Sequence, residues 1–215
     1  MNWRLASRLS VITFAVLAVI VILIFQHSIA TNSAPLAPSA QTTTSNVSFA
    51  GLQGTDLGGT PAPAFQLTDQ NGKPVSLAQF HGEPVVITFM YTHCPDECPA
   101  NANKLHTAMQ MLGNQSHNVG ILVVSTDPKG DTLATATSFT DKHDMQNYWH
   151  YLIGSQQQLS PVWSAYNMYA SDTNGVVQHS IGVYIIDKQG RERAYLDNTF
   201  TASQVATDLK TLLNE

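Results

Sequence analysis

Apolar and polar positions along this chain follow two periods, and they change from one to the other around a pair of cysteines. Residues 85–90 form an apolar, β-branched run between Pro84 and a polar turn, which predicts a strand buried on both faces. The apolar positions that follow repeat at steps of four or three, which predicts a helix with one buried face. These positions are Cys94, Cys98, Ala102, Leu105, Met109 and Leu112. With Pro95 at the first helical position, both thiols are predicted to share one face at the helix N-terminus.

The other segments predict one domain built around that strand. Alternating apolar residues on both sides of Asn71-Gly72 predict a β-hairpin at its start. Five later segments have the patterns of a strand, a helix, a short strand, a helix and a hairpin: 119–125, 132–143, 151–153, 159–168 and 180–196. A final helix is predicted from Thr201, because Thr201-x-x-Gln204 has the form of a capping box ahead of apolar positions at helical spacing.

This order of elements predicts an α/β domain of the thioredoxin fold over residues 61–215. Such a fold has a strand that ends in a cysteine pair at a helix start, a parallel βαβ unit, a β-hairpin and a C-terminal helix. The N-terminal β-hairpin and the extra segment before Ser180 predict the larger kind of this fold, with a peroxiredoxin-like insertion.

The first sixty residues have a different composition. Residues 9–25 carry no charge and are nearly all apolar, with Arg4 and Arg8 before them, so residues 1–30 are predicted to be a transmembrane anchor or an export signal. We favour an anchor. The position of the two arginines predicts a single-pass protein of the cell membrane, with its C-terminal domain on the periplasmic or extracytoplasmic side. Residues 31–60 are rich in Ser, Thr, Ala, Pro and Gly, which predicts a flexible linker.

Charge and cysteine usage change this picture in two ways. The net charge is -5, and the 10 Lys and Arg residues form no basic cluster beyond the N-terminus, so nucleic acid is excluded as a partner. Only 2 cysteines occur, Cys94 and Cys98, within one five-residue window. Packing alone explains such a pair poorly. A helix N-terminus lowers the pKa of a thiol, which serves both nucleophilic exchange and binding of a soft metal.

Spacing and one histidine separate these two kinds of chemistry. Thioredoxin-type exchange uses a C-x-x-C pair, whereas the spacing here is C-x-x-x-C. Thioredoxins also carry a proline before the strand that faces the cysteines, and this chain has His179-Ser180 there. Two thiolates and one imidazole are a ligand set for Cu(I) that also accepts Cu(II), while a structural zinc site would need a fourth protein ligand. His93, next to Cys94, is the competing histidine.

Three segments together resemble the SCO/SenC family of membrane-anchored copper proteins. They are 88–99, with its Cys-Pro-Asp-Glu-Cys-Pro motif; 124–132, with Ser-Thr-Asp-Pro; and 179–190, which opens with His-Ser. The resemblance covers roughly Pro63 to the C-terminus and includes the anchor. It implies copper, as Cu(I) or Cu(II) or both, bound by Cys94, Cys98 and His179. Asp96 and Asp127 would lie at the rim of that site.

The resemblance also implies a function. Proteins of this family help to assemble cytochrome c oxidase, so we expect a metallochaperone that delivers copper to the binuclear copper centre in subunit II. A thiol-disulfide oxidoreductase that uses Cys94 and Cys98 as its redox-active pair is the alternative, and a copper or redox sensor is the third. The cysteine spacing favours metal binding over exchange, so we do not expect an enzyme, although reductase activity of this pair stays open. Lys129 fits the family's basic residue after Asp-Pro, whereas Gly130 departs from the pattern and leaves the partner contacts open.

Overall fold

A mixed β-sheet carries the cysteine segment at the carboxyl end of a central strand. The computed structural model describes residues 51–173 and 176–215. The strands and helices in chain order are β1 (Thr55–Asp56), β2 (Gln66–Thr68), β3 (Pro74–Ser76), β4 (Val85–Met90), α1 (Glu97–Leu112), β5 (Gly120–Ser125), α2 (Leu133–Lys142), β6 (His150–Leu152), α3 (Gln156–Ala165), β7 (Ala170–Thr173), β8 (Val176–His179), β9 (Gly182–Ile186), β10 (Glu192–Asp197) and α4 (Ala202–Asn214). Short 3₁₀ helices, Leu77–Phe80 and Gly113–Asn118, follow β3 and α1.

The main sheet has six strands in the order β1-β10-β9-β4-β5-β6. Strands β4, β5 and β6 are parallel, while β9 and β10 are antiparallel to their neighbours. All residues of β4 and β5 are buried, because α1, α2 and α4 pack on one face of the sheet and α3 packs with the β2–β3 hairpin on the other. The predicted α/β class and the parallel unit at its centre are therefore confirmed.

The helix that carries the cysteine pair begins later than predicted. It begins at Glu97 with Asp96 as its N-cap, so the placement of Pro95 at the first helical position is wrong. A residue before proline is disfavoured in helical conformation, which keeps Cys94 in the loop ahead of α1. The rest of the predicted stripe, from Cys98 to Leu112, is buried as expected.

The folded part also begins upstream of the boundary that we placed between residues 60 and 61. Thr55 and Asp56 pair with β10 as strand β1, and the N–H groups of Leu57 and Gly59 donate to carbonyl groups of β10 at 3.1 and 3.0 Å. The predicted anchor over residues 1–30, and the linker as far as residue 50, lie outside the described residues. In the part of the chain that the structure describes, no helix has the length and apolar character needed to cross a membrane.

A two-stranded hairpin formed by β7 and β8 has no counterpart in the sequence prediction. Its antiparallel register pairs Ala170 with His179, the last residue of β8. His179 therefore lies before β9, as expected, but it ends a strand of this hairpin, which the sequence analysis does not predict. Helix α3 also begins and ends earlier than the predicted helix over 159–168.

Asp208 is a buried carboxyl group of α4 whose charge opposes folding. Its Oδ1 accepts a hydrogen bond from the Gln53 N–H at 2.8 Å, and its Oδ2 has no hydrogen-bond partner among the described residues. Burial raises the pKa of Asp208 to about 6. A carboxyl group whose pKa is higher in the folded than in the unfolded chain is destabilising once it ionises, so stability falls as the pH rises through this value.

Replacement of Asp208 by asparagine should therefore stabilise the protein in a pH-dependent way. We expect Asp208→Asn to raise the free energy of unfolding by up to about 3 kcal/mol near pH 7.5, since one pKa unit corresponds to about 1.4 kcal/mol. Near pH 4 the wild-type carboxyl group is protonated in the folded state, so the gain should almost vanish. Urea denaturation at both pH values measures the difference, and equal gains at both would contradict this assignment.

Candidate metal centre

The cysteine loop, residues 91–96, joins the carboxyl end of β4 to α1. The chain turns where the Cys94 N–H donates to the Tyr91 carbonyl oxygen at 3.3 Å. The Cys98 N–H, in the first turn of α1, donates to Cys94 Sγ at 3.3 Å. Cys98 is 1% exposed, whereas Cys94 is half-buried and packs against the same core. The Cys94 sulfur thus satisfies a free amide at the start of α1, and this contact brings the two cysteines together.

The end of β8 brings His179 to the same place. His179 Nε2 lies 3.9 Å from Cys98 Sγ, and His179 Nδ1 lies 2.7 Å from the Ser180 carbonyl oxygen. A carbonyl oxygen can only accept, so Nδ1 carries the proton and Nε2 presents its lone pair to the sulfur. The Tyr91 ring packs edge-on against the imidazole at 5.8 Å between ring centroids. A hydrogen bond at the remote nitrogen is the usual arrangement of a histidine that binds a metal.

The two thiols have opposite electrostatic environments. The hydrogen bond from the Cys98 thiol, helped by backbone N–H groups, lowers the pKa of Cys94 to about 5 despite partial burial. The same hydrogen bond, together with burial, raises the pKa of Cys98. Burial lowers the pKa of His179, so its imidazole is neutral at neutral pH. The pair therefore holds one thiolate and one thiol that share a proton.

This difference predicts selective reactivity of the two cysteines. In the native protein, iodoacetamide should modify Cys94 at a nearly constant rate above pH 6 and more slowly below about pH 5, because the thiolate is the nucleophile. Cys98 should react only after unfolding. Peptide mass spectrometry after timed quenching measures both rates, and equal rates for the two cysteines in the native protein would contradict the assignment.

His93 occupies a different environment from His179. Its Nδ1 lies 3.1 Å from Thr92 Oγ1, and the Thr92 hydroxyl group donates to Asp131 Oδ1 at 2.7 Å. Because that hydroxyl group has one proton, its oxygen must accept from His93 Nδ1–H. His93, Asp127 and Asp131 are the group of three metal-ligand type side chains whose donor atoms lie within 4.8 Å of one another in the described part of the chain. The predicted ligands Cys94, Cys98 and His179 do not form such a group. Cys98 contacts both Cys94 and His179, but the three donor atoms do not all lie within 4.8 Å of one another.

The two predicted rim residues lie on different loops. Asp96 is exposed at the start of α1, and Asp127 is half-buried in the turn after β5. Asp127 Oδ1 accepts hydrogen bonds from the N–H groups of Lys129 and Gly130 at 3.2 and 2.9 Å. A Cβ at position 130 would collide with Asp127 Oδ2. Gly130, the departure from the family pattern, thus leaves room for the Asp127 carboxylate as it folds back onto the N–H groups of Lys129 and Gly130.

Asp131 is a residue of this region that the sequence analysis missed. It is 6% exposed and hydrogen-bonded to Thr92 of the cysteine loop, 39 positions away in the chain. An aspartate four residues after Asp127, directly before the N-cap of α2, has the pattern of an ordinary turn residue. Its place at the carboxyl end of a parallel strand was the available signal, since side chains there converge.

A groove of about 350 Å³ gives solvent access to the cysteine loop. Cys94 and Pro99 line one side, and Ser138, Phe139 and Lys142 of α2 line the other. Cys98 and His179 are not among the lining residues. Through this groove a partner molecule can reach the site at Cys94.

Comparison with known proteins places this geometry in a family. The SCO1/SenC family matches residues 54–214. The mitochondrial SCO2 homologue of Bos taurus is 29% identical over 154 residues, which cover 68% of this chain and 57% of that protein, so the match spans less than two thirds of its length. The structure of Bradyrhizobium japonicum ScoI with copper bound is 31% identical, with a TM-score of 0.65 over 72% of this chain and 100% of that chain.

A third likeness concerns the fold alone. BsSco, in which a disulfide switch was identified, is described as a member of the Sco family of cytochrome c oxidase assembly proteins. It is 22% identical, with a TM-score of 0.64 over 75% of this chain and 98% of that chain. These matches confirm the predicted thioredoxin-like α/β fold. Because the family match covers nearly all of the folded part, the chain belongs to the SCO1/SenC family.

Proposed function

We propose that this protein binds copper through Cys94, Cys98 and His179 and delivers it to the binuclear copper centre in subunit II of cytochrome c oxidase. The observation that carries the proposal is the lone pair of His179 Nε2, directed at Cys98 Sγ across 3.9 Å by the hydrogen bond between Nδ1 and Ser180. The copper-bound ScoI, 31% identical, supports the choice of metal. Copper is then the cargo of the protein.

The donor set fits copper. Cys94 is a thiolate at neutral pH and Cys98 holds a proton, so binding through both sulfurs releases one proton from Cys98. Thiolate sulfur prefers Cu(I), and the imidazole nitrogen suits both Cu(I) and Cu(II). A structural zinc site would need a fourth protein ligand.

Delivery follows from the access to the site. Cys94 lines the groove beside α2, so a thiolate or imidazole of the recipient can replace the Cys94 sulfur first, while Cys98 and His179 still hold the metal. Exchange of one ligand at a time avoids release of free copper. Cys98, which is 1% exposed, is displaced last and regains its proton.

The proposal is tested by copper content and disulfide reductase activity measured on the same full-length preparation. We expect one copper per reduced chain, bound in the presence of a competing chelator, and no turnover of insulin disulfides with dithiothreitol above the uncatalysed rate. Multiple turnovers without retained copper would contradict a metallochaperone.

A second function has support from one observation. Cys94 is a low-pKa thiol in an open groove next to the buried Cys98, which is the arrangement of an attacking and a resolving thiol. The alternative is a thiol-disulfide oxidoreductase that keeps the cysteines of the oxidase reduced. It predicts turnover that Cys94→Ser abolishes and that His179→Ala leaves intact, whereas copper delivery requires both residues.

We further propose that residues 1–30 are retained as a single-pass membrane anchor, with the folded domain on the extracytoplasmic side. Arg4 and Arg8 ahead of the apolar run over residues 9–25 support this orientation. Full-length protein should stay with membranes after alkaline carbonate washing, and protease added from the outer side should release the folded domain. Recovery of the exported protein in the soluble fraction with its N-terminus at Thr31 would contradict a retained anchor.

A further inference from the structure

We propose that Asp131 is the positioning residue of the cysteine loop and that it acts through Thr92, two residues before Cys94. The inference rests on the proposed function, because the loop matters as the carrier of a metal ligand. Asp131 does not contact the sulfurs in any described hydrogen bond. Its role is to hold the segment that places Cys94 against the start of α1.

The first step is the hydrogen bonding of the carboxylate. Asp131 Oδ1 accepts from Thr92 N–H at 2.9 Å and from the Thr92 hydroxyl group at 2.7 Å. Asp131 Oδ2 accepts from the Ser125 hydroxyl group at 2.6 Å and from the Tyr151 hydroxyl group at 3.1 Å. Four donors therefore converge on a side chain that is 6% exposed. A carboxylate has about four acceptor positions, and these donors fill them.

The second step is the direction of these hydrogen bonds. Ser125 Oγ also accepts from the Asp127 N–H at 3.1 Å, so its own proton goes to Asp131. Thr92 likewise donates to Asp131 and accepts from His93 Nδ1–H. Every hydroxyl proton in this network, from Thr92, Ser125 and Tyr151, is therefore donated to the carboxylate. An asparagine amide would turn an N–H₂ group toward two of these donors and leave buried polar groups unpaired.

The third step is the reach of the network across the sheet. Thr92 follows β4, Ser125 ends β5, and Tyr151 lies in β6, so Asp131 joins the three parallel strands at their carboxyl end. Asp131 is joined to the cysteine loop through Thr92. Within that loop, the Cys94 N–H donates to the Tyr91 carbonyl oxygen. With Thr92 fixed at two atoms, the path to Cys94 Sγ and its contact with the Cys98 N–H is short and constrained.

The same network also separates the two histidines. His93 Nδ1 is held as a donor to Thr92, whereas His179 Nε2 is held as an acceptor next to Cys98. Asp131 therefore both places Cys94 and keeps the neighbouring His93 turned to Thr92. Loss of the carboxylate should disturb both at once.

The test compares Asp131→Asn with Asp69→Asn in the full-length protein. Asp69 is also a buried aspartate, and its Oδ1 accepts hydrogen bonds from the N–H groups of Asn71 and Lys73 in the β2–β3 turn, outside the cysteine loop. Both variants should lower the melting temperature. We expect only Asp131→Asn to weaken copper binding, by about tenfold to a hundredfold, and to shift the sulfur-to-copper charge-transfer band of the Cu(II) form.

A metal-free measurement separates this inference from the proposed function. In the reduced apoprotein, hydrogen–deuterium exchange of the peptide that spans the Cys98 N–H should be at least about tenfold faster in Asp131→Asn than in wild type, since ten-fold corresponds to losing one modest hydrogen bond. Exchange at the centre of α1 should not change in Asp131→Asn. In Asp69→Asn, exchange of the peptide that spans the Cys98 N–H should equal that of wild type. Wild-type protein that fails to bind copper would refute the proposed function, while the exchange result would still decide the role of Asp131.

Thr92→Val keeps the test decisive if Asp131→Asn does not fold. Valine preserves the shape and the backbone N–H of Thr92 and removes the hydroxyl group, which donates to Asp131 and accepts from His93. A smaller change of the same kind, in exchange and in the charge-transfer band, is expected. Unchanged exchange, copper affinity and spectrum in Thr92→Val, or in a folded Asp131→Asn whose only defect is a lower melting temperature, would overturn the proposal.

Discussion

Cys94→Ser, Cys98→Ser and His179→Ala are each expected to weaken copper binding by roughly a hundredfold or more, whereas His93→Ala should have a minor effect. Loss of a directly bound ligand should exceed the tenfold to hundredfold effect typical of residues that only orient a ligand. His179 presents an unprotonated Nε2 to Cys98, while His93 is exposed and donates through Nδ1 to Thr92. The two histidines therefore form a matched pair of alanine variants.

Competition with chromogenic chelators for Cu(I), and equilibrium dialysis for Cu(II), measure these affinities. Melting temperatures of the apoproteins report whether a variant has lost its fold instead of its site. A His179→Ala protein that keeps full affinity for both oxidation states would identify His179 as a core histidine and not a ligand. A large loss of affinity in His93→Ala would identify His93, and not His179, as the nitrogen ligand.

Copper should stabilise only the reduced protein, because the two sulfurs cannot bind copper and bond to each other at the same time. Both cysteines are free in the structure. In the reduced protein, a ligand at a thousand times its dissociation constant stabilises the fold by about 4 kcal/mol. The real gain should be smaller, since cysteines of the unfolded chain also bind copper. Of the three proposed ligands the oxidised protein offers His179 alone, so it should show almost no gain.

The position of Cys94 also shows how oxidation can occur. Residues four apart on a regular helix have Cβ atoms about 5–6 Å apart, whereas a disulfide needs about 3.5–4.5 Å. Because Cys94 lies in the loop before α1, helical spacing does not hold it, and movement of the cysteine loop can bring its sulfur to Cys98 without distortion of the helix itself. Oxidation should therefore displace Cys94 and leave the Cys98 turn in place.

Differential scanning calorimetry with and without Cu(I), on reduced and on oxidised full-length protein, measures this redox dependence. A clear rise in melting temperature is expected for the reduced form alone. The Cys94→Ser/Cys98→Ser double variant is the control. Equal shifts in both redox states, or a full shift in the double variant, would place the copper somewhere other than this pair.

Local periodicity predicted the parts of this structure that depend on local sequence. The buried strand β4, the buried stripe of α1 from Cys98 onward and the capping box at Thr201 all follow from neighbouring residues, and all are present. The start of α1 differs from the prediction because apolar spacing alone includes Cys94, whereas Pro95 disfavours helical conformation at that residue.

The features that define the candidate site depend on contacts between distant residues. His179 reaches Cys98 from the β7–β8 hairpin, 81 positions away in the chain. The strand segments of this hairpin show no apolar alternation, and the Asn174-Gly175 dipeptide in the sequence between them was its one signal. The role of Asp131 could not be predicted from its neighbours in the chain, because its partner Thr92 lies in the loop that follows another strand. Gly130 departs from the family pattern, and the structure shows that it leaves room for the Asp127 carboxylate beside it. Motif residues were predictable, whereas the residues that hold them in place were not.

X-ray absorption at the copper edge of the reduced, copper-loaded full-length protein tests the central claim most directly. The claim is that copper is bound by two cysteine sulfurs and one histidine nitrogen, supplied by Cys94, Cys98 and His179. We expect a first shell of two sulfur scatterers and one nitrogen scatterer with the outer-shell pattern of an imidazole, and loss of that imidazole pattern in His179→Ala. A first shell without two sulfurs, or an imidazole pattern that persists in His179→Ala, would contradict it.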